Sequence, residues 1–149
     1  MTTIAYRDGV MAADSRVTYD SEAGGTRMHK CEKLFRKQTK DGGEAIIGLA
    51  GETAPGLLFL DWYGSGKKPL MRLIDGDADF TALVLRRDGL FVYDAWCRGE
   101  KVLDEFFAIG SGSKAALGAM YKGAGALEAV DIASRIDPYT SAPFTCLSL

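Results

Sequence analysis

Residues 1–18 read MTTIAYRDGVMAADSRVT. Two short runs, TTIAY and VMAAD, flank RDG, and Asp-Gly between alternating runs is the strongest local signal for a β-hairpin. Loop length sets the register. If Arg7-Asp8-Gly9 is a three-residue loop with Gly9 left-handed, Tyr6 faces Val10 and Thr2 faces Asp14; a two-residue Asp8-Gly9 turn puts Thr3 opposite Asp14. The first register has chemical consequences. Once Met1 is removed, Thr2 carries a hydroxyl nucleophile and its own α-amine, whose pKa of about 8 suits a base, and Asp14 would stand beside it. Taken alone, Thr-Thr at position two is the polar start of an edge strand, and Asp14 is a turn former at its end.

The composition sets the class. The chain has 149 residues, 47% of them hydrophobic and 26% charged, with 18 glycines, which predicts one turn-rich globular domain over residues 1–149. A net charge of −2 with dispersed basic residues gives no reason to expect nucleic-acid binding, and Lys67-Lys68 and Arg86-Arg87 read as solvated turns. Cys31, Cys97 and Cys146 have no metal-type spacing and read as reduced, structural thiols. No signal peptide is recognised, and runs such as AIIGLAG are too short to span a bilayer. A cytoplasmic protein without a membrane partner, metal or cofactor is expected.

Beyond the first hairpin, CEKLFRK and EAIIGLAG read as strands around KDGG, and TAPGLLFLDWYGSG as a helix. In that helix Thr53 is the expected N-cap, Leu57, Leu58 and Trp62 one face, and Gly64 the stop. FTALVLRRDGLFVYDAW is a second hairpin, FFAIG a buried strand, SKAALGAMYKG and ALEAVDIASRI helices, and APFTCLSL a last strand. Strands, helix, strands and two helices make an α+β domain of antiparallel sheets covered by helices. His29 reads as a surface loop residue, and Trp62, Trp96, Phe106 and Phe107 as core or interface aromatics.

With these landmarks in order, the chain resembles proteasome β-type subunits and the HslV-like peptidase subunit of the bacterial two-component heat-shock protease. These are N-terminal nucleophile (Ntn) hydrolases whose mature chains begin with Thr. The resemblance rests on TTIAYRDGVMAADSRVT, EKLF, GLAGETA, AIGSGSKAA and IDPYTSA, and spans nearly the whole chain. It implies an Ntn four-layer αββα sandwich, with one helical layer reduced, as in a shortened bacterial or phage-type member. It implies Thr2 as nucleophile, Asp14 holding Lys33, and Lys33 stabilising the alkoxide and keeping the amine neutral. Arg16 is a supporting residue of the same AADSR segment. Gly51 matches the glycine whose N–H faces the oxyanion, ahead of a helix N-terminus. Ser111, Asp137 and Thr140 complete the polar shell around the amine, Thr140 standing where the family has Ser. Leu49 falls on the first specificity pocket.

The resemblance further implies polypeptide substrates, hydrolysis through an ester on Thr2, and a homo-oligomeric ring. The glycine-rich stretch between Trp62 and FTALV leaves almost no room for the family's second long helix, which puts a double ring and a docked ATPase unfoldase in doubt. Two other readings stay open: a proteasome-like structural or assembly protein without turnover, and an Ntn amidase acting on a small amide.

Overall fold

The computed structural model describes residues 1–65 and 79–149. The opening segment forms β1 (Thr3–Arg7) and β2 (Val10–Ala13), pairing Arg7 with Val10 and Ile4 with Ala13. Asp8 and Gly9 form the turn with φ of 51° and 78°. Two left-handed residues define the two-residue type I′ turn, whose twist matches that of the strands it joins. The three-residue loop is therefore not formed. Thr3, not Thr2, lies across from Asp14, and the pair is closed by Asp14 N–H donating to the Thr3 carbonyl at 3.2 Å.

Next come β3 (Arg16–Ser21), β4 (Gly25–Lys30), β5 (Leu34–Gln38), β6 (Glu44–Gly51), α1 (Thr53–Ser65), β7 (Phe80–Arg86), β8 (Gly89–Tyr93) and β9 (Gly99–Val102). The chain ends with β10 (Phe106–Gly110), α2 (Ser113–Tyr121), α3 (Ala126–Ser134) and β11 (Thr145–Ser148). A four-stranded sheet runs β10-β1-β2-β11, a five-stranded sheet runs β5 to β9 in chain order, and β3 pairs with β4 alone. Every paired neighbour is antiparallel.

Strand alternation divides the core. Ile4, Met11, Ile46, Leu83 and Ile109 meet in one cluster shared by the two larger sheets. The next residues along, Ala5, Ala12 and Ala108, turn the other way and pack on Ala116, Met120, Ala129 and Val130 of α2 and α3. On the five-stranded sheet Ile47 and Val84 turn outward onto Phe59 and Leu60 of α1. Each large aliphatic or aromatic side chain so buried contributes about 1.5–3 kcal/mol, and small alanines let the α2–α3 pair sit close to β1 and β2.

Local details differ from expectation. Thr53 is the first residue of α1, and Gly56 N–H donates to the Glu52 carbonyl at 3.4 Å, which places the cap at Glu52. The buried face is Pro55, Gly56, Phe59 and Leu60, while Leu57 and Leu58 are each 48% exposed. A helix apolar on several sides gives periodicity little power to choose its buried face. α1 runs one residue past Gly64. The β3–β4 ribbon and β9 carry no apolar alternation and went unrecognised; β4 is exposed throughout. His29 lies in that strand, stacked on Tyr19 at 5.4 Å, instead of in a loop. Trp62 packs at the edge of the α1 cluster, whereas Trp96 is 54% exposed and outside the core. The expectation that the second long helix has almost no counterpart concerns residues that, apart from Tyr63–Ser65 and Asp79, lie outside the described ones, as do Lys67 and Lys68.

Candidate active site

Five segments distant in the sequence end together: the start of β1, the Asp14–Arg16 corner, Lys33 at the mouth of β5, the Gly110–Gly112 turn before α2, and residues 137–141 after α3. Lys33 is the centre of one cluster. Its Nζ donates to Asp14 Oδ1 at 2.8 Å, to the Met1 carbonyl at 3.1 Å and to the Arg16 carbonyl, which uses all three ammonium protons. The Lys33 and Asp14 side chains are only 4% and 0% exposed. Burial lowers the Lys33 pKa below its ordinary value of 10.5, and Asp14 opposes that shift.

Asp14 is fully subscribed. Oδ1 also accepts Thr3 N–H at 2.9 Å; Oδ2 accepts Arg16 N–H at 3.0 Å and Ser141 N–H at 3.2 Å. The carboxylate therefore does not touch Thr2 across the hairpin. It holds the peptide that joins Thr2 to Thr3, and so sets the strand's entry. Arg16 takes part through its backbone, while its guanidinium donates to the Pro138 carbonyl at 2.6 Å.

A second cluster stands on the other side of the strand. Asp137 Oδ2 accepts Ser111 Oγ and Thr140 Oγ1, both at 2.6 Å, and Thr140 Oγ1 lies 2.6 Å from Thr3 Oγ1. Burial would raise the Asp137 carboxyl. Donors from Ser111, Thr140 and the Tyr139 backbone, with the positive N-terminus, hold it below 3.8 instead. Ser111 Oγ is also 3.4 Å from the Thr2 carbonyl. Gly110 sits against that same carbonyl with φ of +95°, and a Cβ there would fall 1.9 Å from the Thr2 oxygen.

Beside the start of the chain, where β6 runs into α1, a small cleft of about 50 Å³ opens, lined among others by Met1, Thr2, Cys31, Lys33, Leu49 and Gly51. Gly51 ends β6 with φ of +96°, and a Cβ there would come 2.3 Å from the Asp79 carbonyl oxygen. Only glycine fits this bend, which leads directly into the N-terminus of α1. The Met1 amine is held below its ordinary 8.0, first by burial and then by Lys33.

Of the residues singled out, Thr2, Lys33, Gly51 and Leu49 share the cleft. Asp14 and Arg16 reach it through Lys33, and Ser111, Asp137 and Thr140 form the cluster behind Thr2. Three participants were given no role by the sequence reading. Thr3 entered it only as the residue opposite Asp14 in the two-residue register. Cys31 stands two residues before Lys33, the spacing that shares one side of extended chain. Ser141 acts only through its backbone, which no side-chain pattern reports. Among the described residues no group of three or more His, Cys, Asp or Glu is placed to hold a metal ion, and no helix is long and apolar enough to cross a membrane.

No family profile matches the chain, and no curated protein matches it. Solved structures do. Eukaryotic HslV from Trypanosoma brucei superposes with a TM-score of 0.65 at 17% identity, over 98% of this chain and 97% of that one. Thiobacillus denitrificans BPH in complex with epoxomicin gives 0.66 at 19% identity, over 99% and 97%. Anbu from Hyphomicrobium sp. strain MC1 gives 0.72 at 13% identity, over 100% and 82%. At these identities the likeness concerns the fold. The chain thus has the fold of HslV and Anbu, the proteasome-like fold that its opening residues resemble.

Proposed function

We propose that this protein is an N-terminal threonine peptidase of the Ntn type, a single four-layer αββα domain that cleaves polypeptides. Removal of Met1 frees the Thr2 amine. That amine takes the proton of Thr2 Oγ as the oxygen attacks the scissile carbonyl, and Gly51 N–H receives the developing oxyanion. The amine then gives its proton to the leaving amine, and water hydrolyses the Thr2 ester by the same groups in reverse.

One observation carries this reading: a buried lysine spends its third proton on the Met1 carbonyl. The bond lengths of a peptide place the Thr2 nitrogen within about 5.4 Å of Nζ. Excision of Met1 removes an acceptor and leaves an ammonium proton free beside Thr2, where it stabilises an alkoxide and disfavours a second positive charge on the amine. Two further points support it: the Asp137 cluster beside the Thr2 carbonyl, and the shared fold with BPH, which has been solved with epoxomicin. The fold shared with HslV supports a closed homo-oligomeric ring in the cytoplasm, and that assembly is part of the proposal. A dedicated ATPase unfoldase is not.

The same contact favours a second reading. If Met1 stays in place, it occupies the cleft and saturates Lys33, and the fold serves as a scaffold without turnover. Intact-mass spectrometry with a peptide epoxyketone separates the two, because that probe needs a free α-amine beside a hydroxyl. A single adduct on protein lacking Met1, absent in Thr2→Ala, is expected. A free Thr2 that never reacts would sink the peptidase reading.

A further inference from the structure

Thr3 is completely buried, at 0% exposure, and is held at both backbone and side chain. Its N–H donates to Asp14 Oδ1 at 2.9 Å, and Asp14 Oδ1 also receives Lys33. Its hydroxyl meets Thr140 Oγ1 at 2.6 Å. Proton counting orients that contact. An ionised Asp137 accepts only, so Thr140 must spend its one hydroxyl proton on Asp137 Oδ2 at 2.6 Å. Thr140 Oγ1 is then an acceptor, and Thr3 is its donor. Ser111 likewise has one proton and spends it on Asp137 at 2.6 Å, the shorter of its two contacts.

Resting on the peptidase reading above, we infer that Thr3 is a positioning residue that ties the Lys33–Asp14 pair and the Ser111–Asp137–Thr140 cluster to the peptide immediately following the nucleophile. No other residue among the described contacts bonds both systems at once: Asp14 takes its backbone, Thr140 its side chain. The fit around the hydroxyl is closed. A Cβ on Gly112 would fall 2.1 Å from Thr3 Oγ1 and 3.1 Å from Thr140 Oγ1. Gly112 therefore packs directly against the hydroxyl, where any larger residue would collide with it. Strand alternation completes the arrangement, since Thr3 faces the α3 side while Thr2 faces the cleft. The pair Thr2-Thr3 thereby divides its labour between chemistry and alignment. The lowered Asp137 carboxyl agrees with a chain of hydroxyl donors converging on it.

The test compares Thr3→Ala with Thr3→Ser in full-length protein lacking Met1; the two differ by one hydroxyl. The Asp137 carboxyl is titrated by carbon-13 NMR, assigned through Asp137→Asn, and capture of a peptide epoxyketone is timed across pH. Thr3→Ala is expected to move the Asp137 midpoint upward and slow capture about tenfold, the scale of one lost hydrogen bond in a charged network. Thr3→Ser restores the parental midpoint, and capture within about threefold. An unmoved midpoint in folded Thr3→Ala overturns the inference. So does a moved midpoint with parental capture. If the parent itself never captures the probe, the peptidase reading falls, and the titration alone then decides the coupling to Asp137.

Discussion

Lys33 Nζ and Asp14 Oδ1 stand 2.8 Å apart with both side chains almost wholly out of water. Nineteen residues separate them in sequence. A buried ion pair is tolerated only where the remaining donors and acceptors are met, and both partners here are saturated. Three of the bonds Asp14 accepts come from backbone N–H groups, of Thr3, Arg16 and Ser141. The pair therefore organises the chain around it as well as supplying charge.

That asymmetry predicts an order of stability. Lys33→Met strands one buried carboxylate and is expected to cost about 3–5 kcal/mol. Asp14→Ala leaves three backbone donors and a buried ammonium unpaired, so it should cost more. Urea unfolding of both variants measures the difference, and the reverse order would contradict the arrangement.

Gly51→Ala is expected to impair both stability and turnover. Its φ of +96° and the Asp79 carbonyl 2.3 Å from a new Cβ force the β6–α1 bend to move. If its N–H serves the oxyanion, kcat falls by about 10²–10³ in protein that still folds at lower temperature. Peptide hydrolysis and a melting curve on the same sample report the two effects.

The Asp137 carboxyl predicts a pH dependence. Its folded pKa lies below the ordinary 3.8, so the folded state binds fewer protons than the unfolded one in that window. Its contribution to stability is present above about pH 4 and fades as pH falls through the folded pKa. Asp137→Asn should flatten this part of the acid limb, which chemical denaturation at pH 2–6 would detect. An unchanged slope would place the carboxylate outside the network.

Leu49 lines the cleft and also packs against Gly56 of α1, where a Cβ would lie 3.1 Å from Leu49 Cδ1. Leu49→Ala is expected to widen the cleft and shift preference toward larger apolar side chains in a fluorogenic peptide series. Loss of rate without a shift in preference would show that the side chain supports α1 only.

Much of the fold was legible because it is local. The Asp-Gly turns, the alternation of EAIIGLAG and FTALVLR, and the two glycine-separated helices state their own geometry within a few residues. Where apolar side chains carry no period, the reading failed. α1 is apolar on several sides, so its buried face went to Phe59 and Leu60 only when β6 and β7 supplied a surface. The β3–β4 ribbon buries only Val17 and left little pattern to read.

The candidate site divides along the same line. Thr2, Asp14, Lys33, Gly51, Ser111, Asp137 and Thr140 were singled out through the resemblance that ordered landmarks along the chain carry. The hairpin register was not, because one residue of loop length exchanges Thr2 for Thr3 opposite Asp14 and local preference permits both. Nor were the contacts between Thr3 and Thr140, 137 positions apart, or between Asp14 and Ser141, 127 apart. By itself the sequence determined which groups were available and which strands and helices would carry them. Only tertiary structure decided which groups share a proton, because hydrogen bonds at 2.6–3.2 Å depend on how two sheets and a helix pair come to rest against one another.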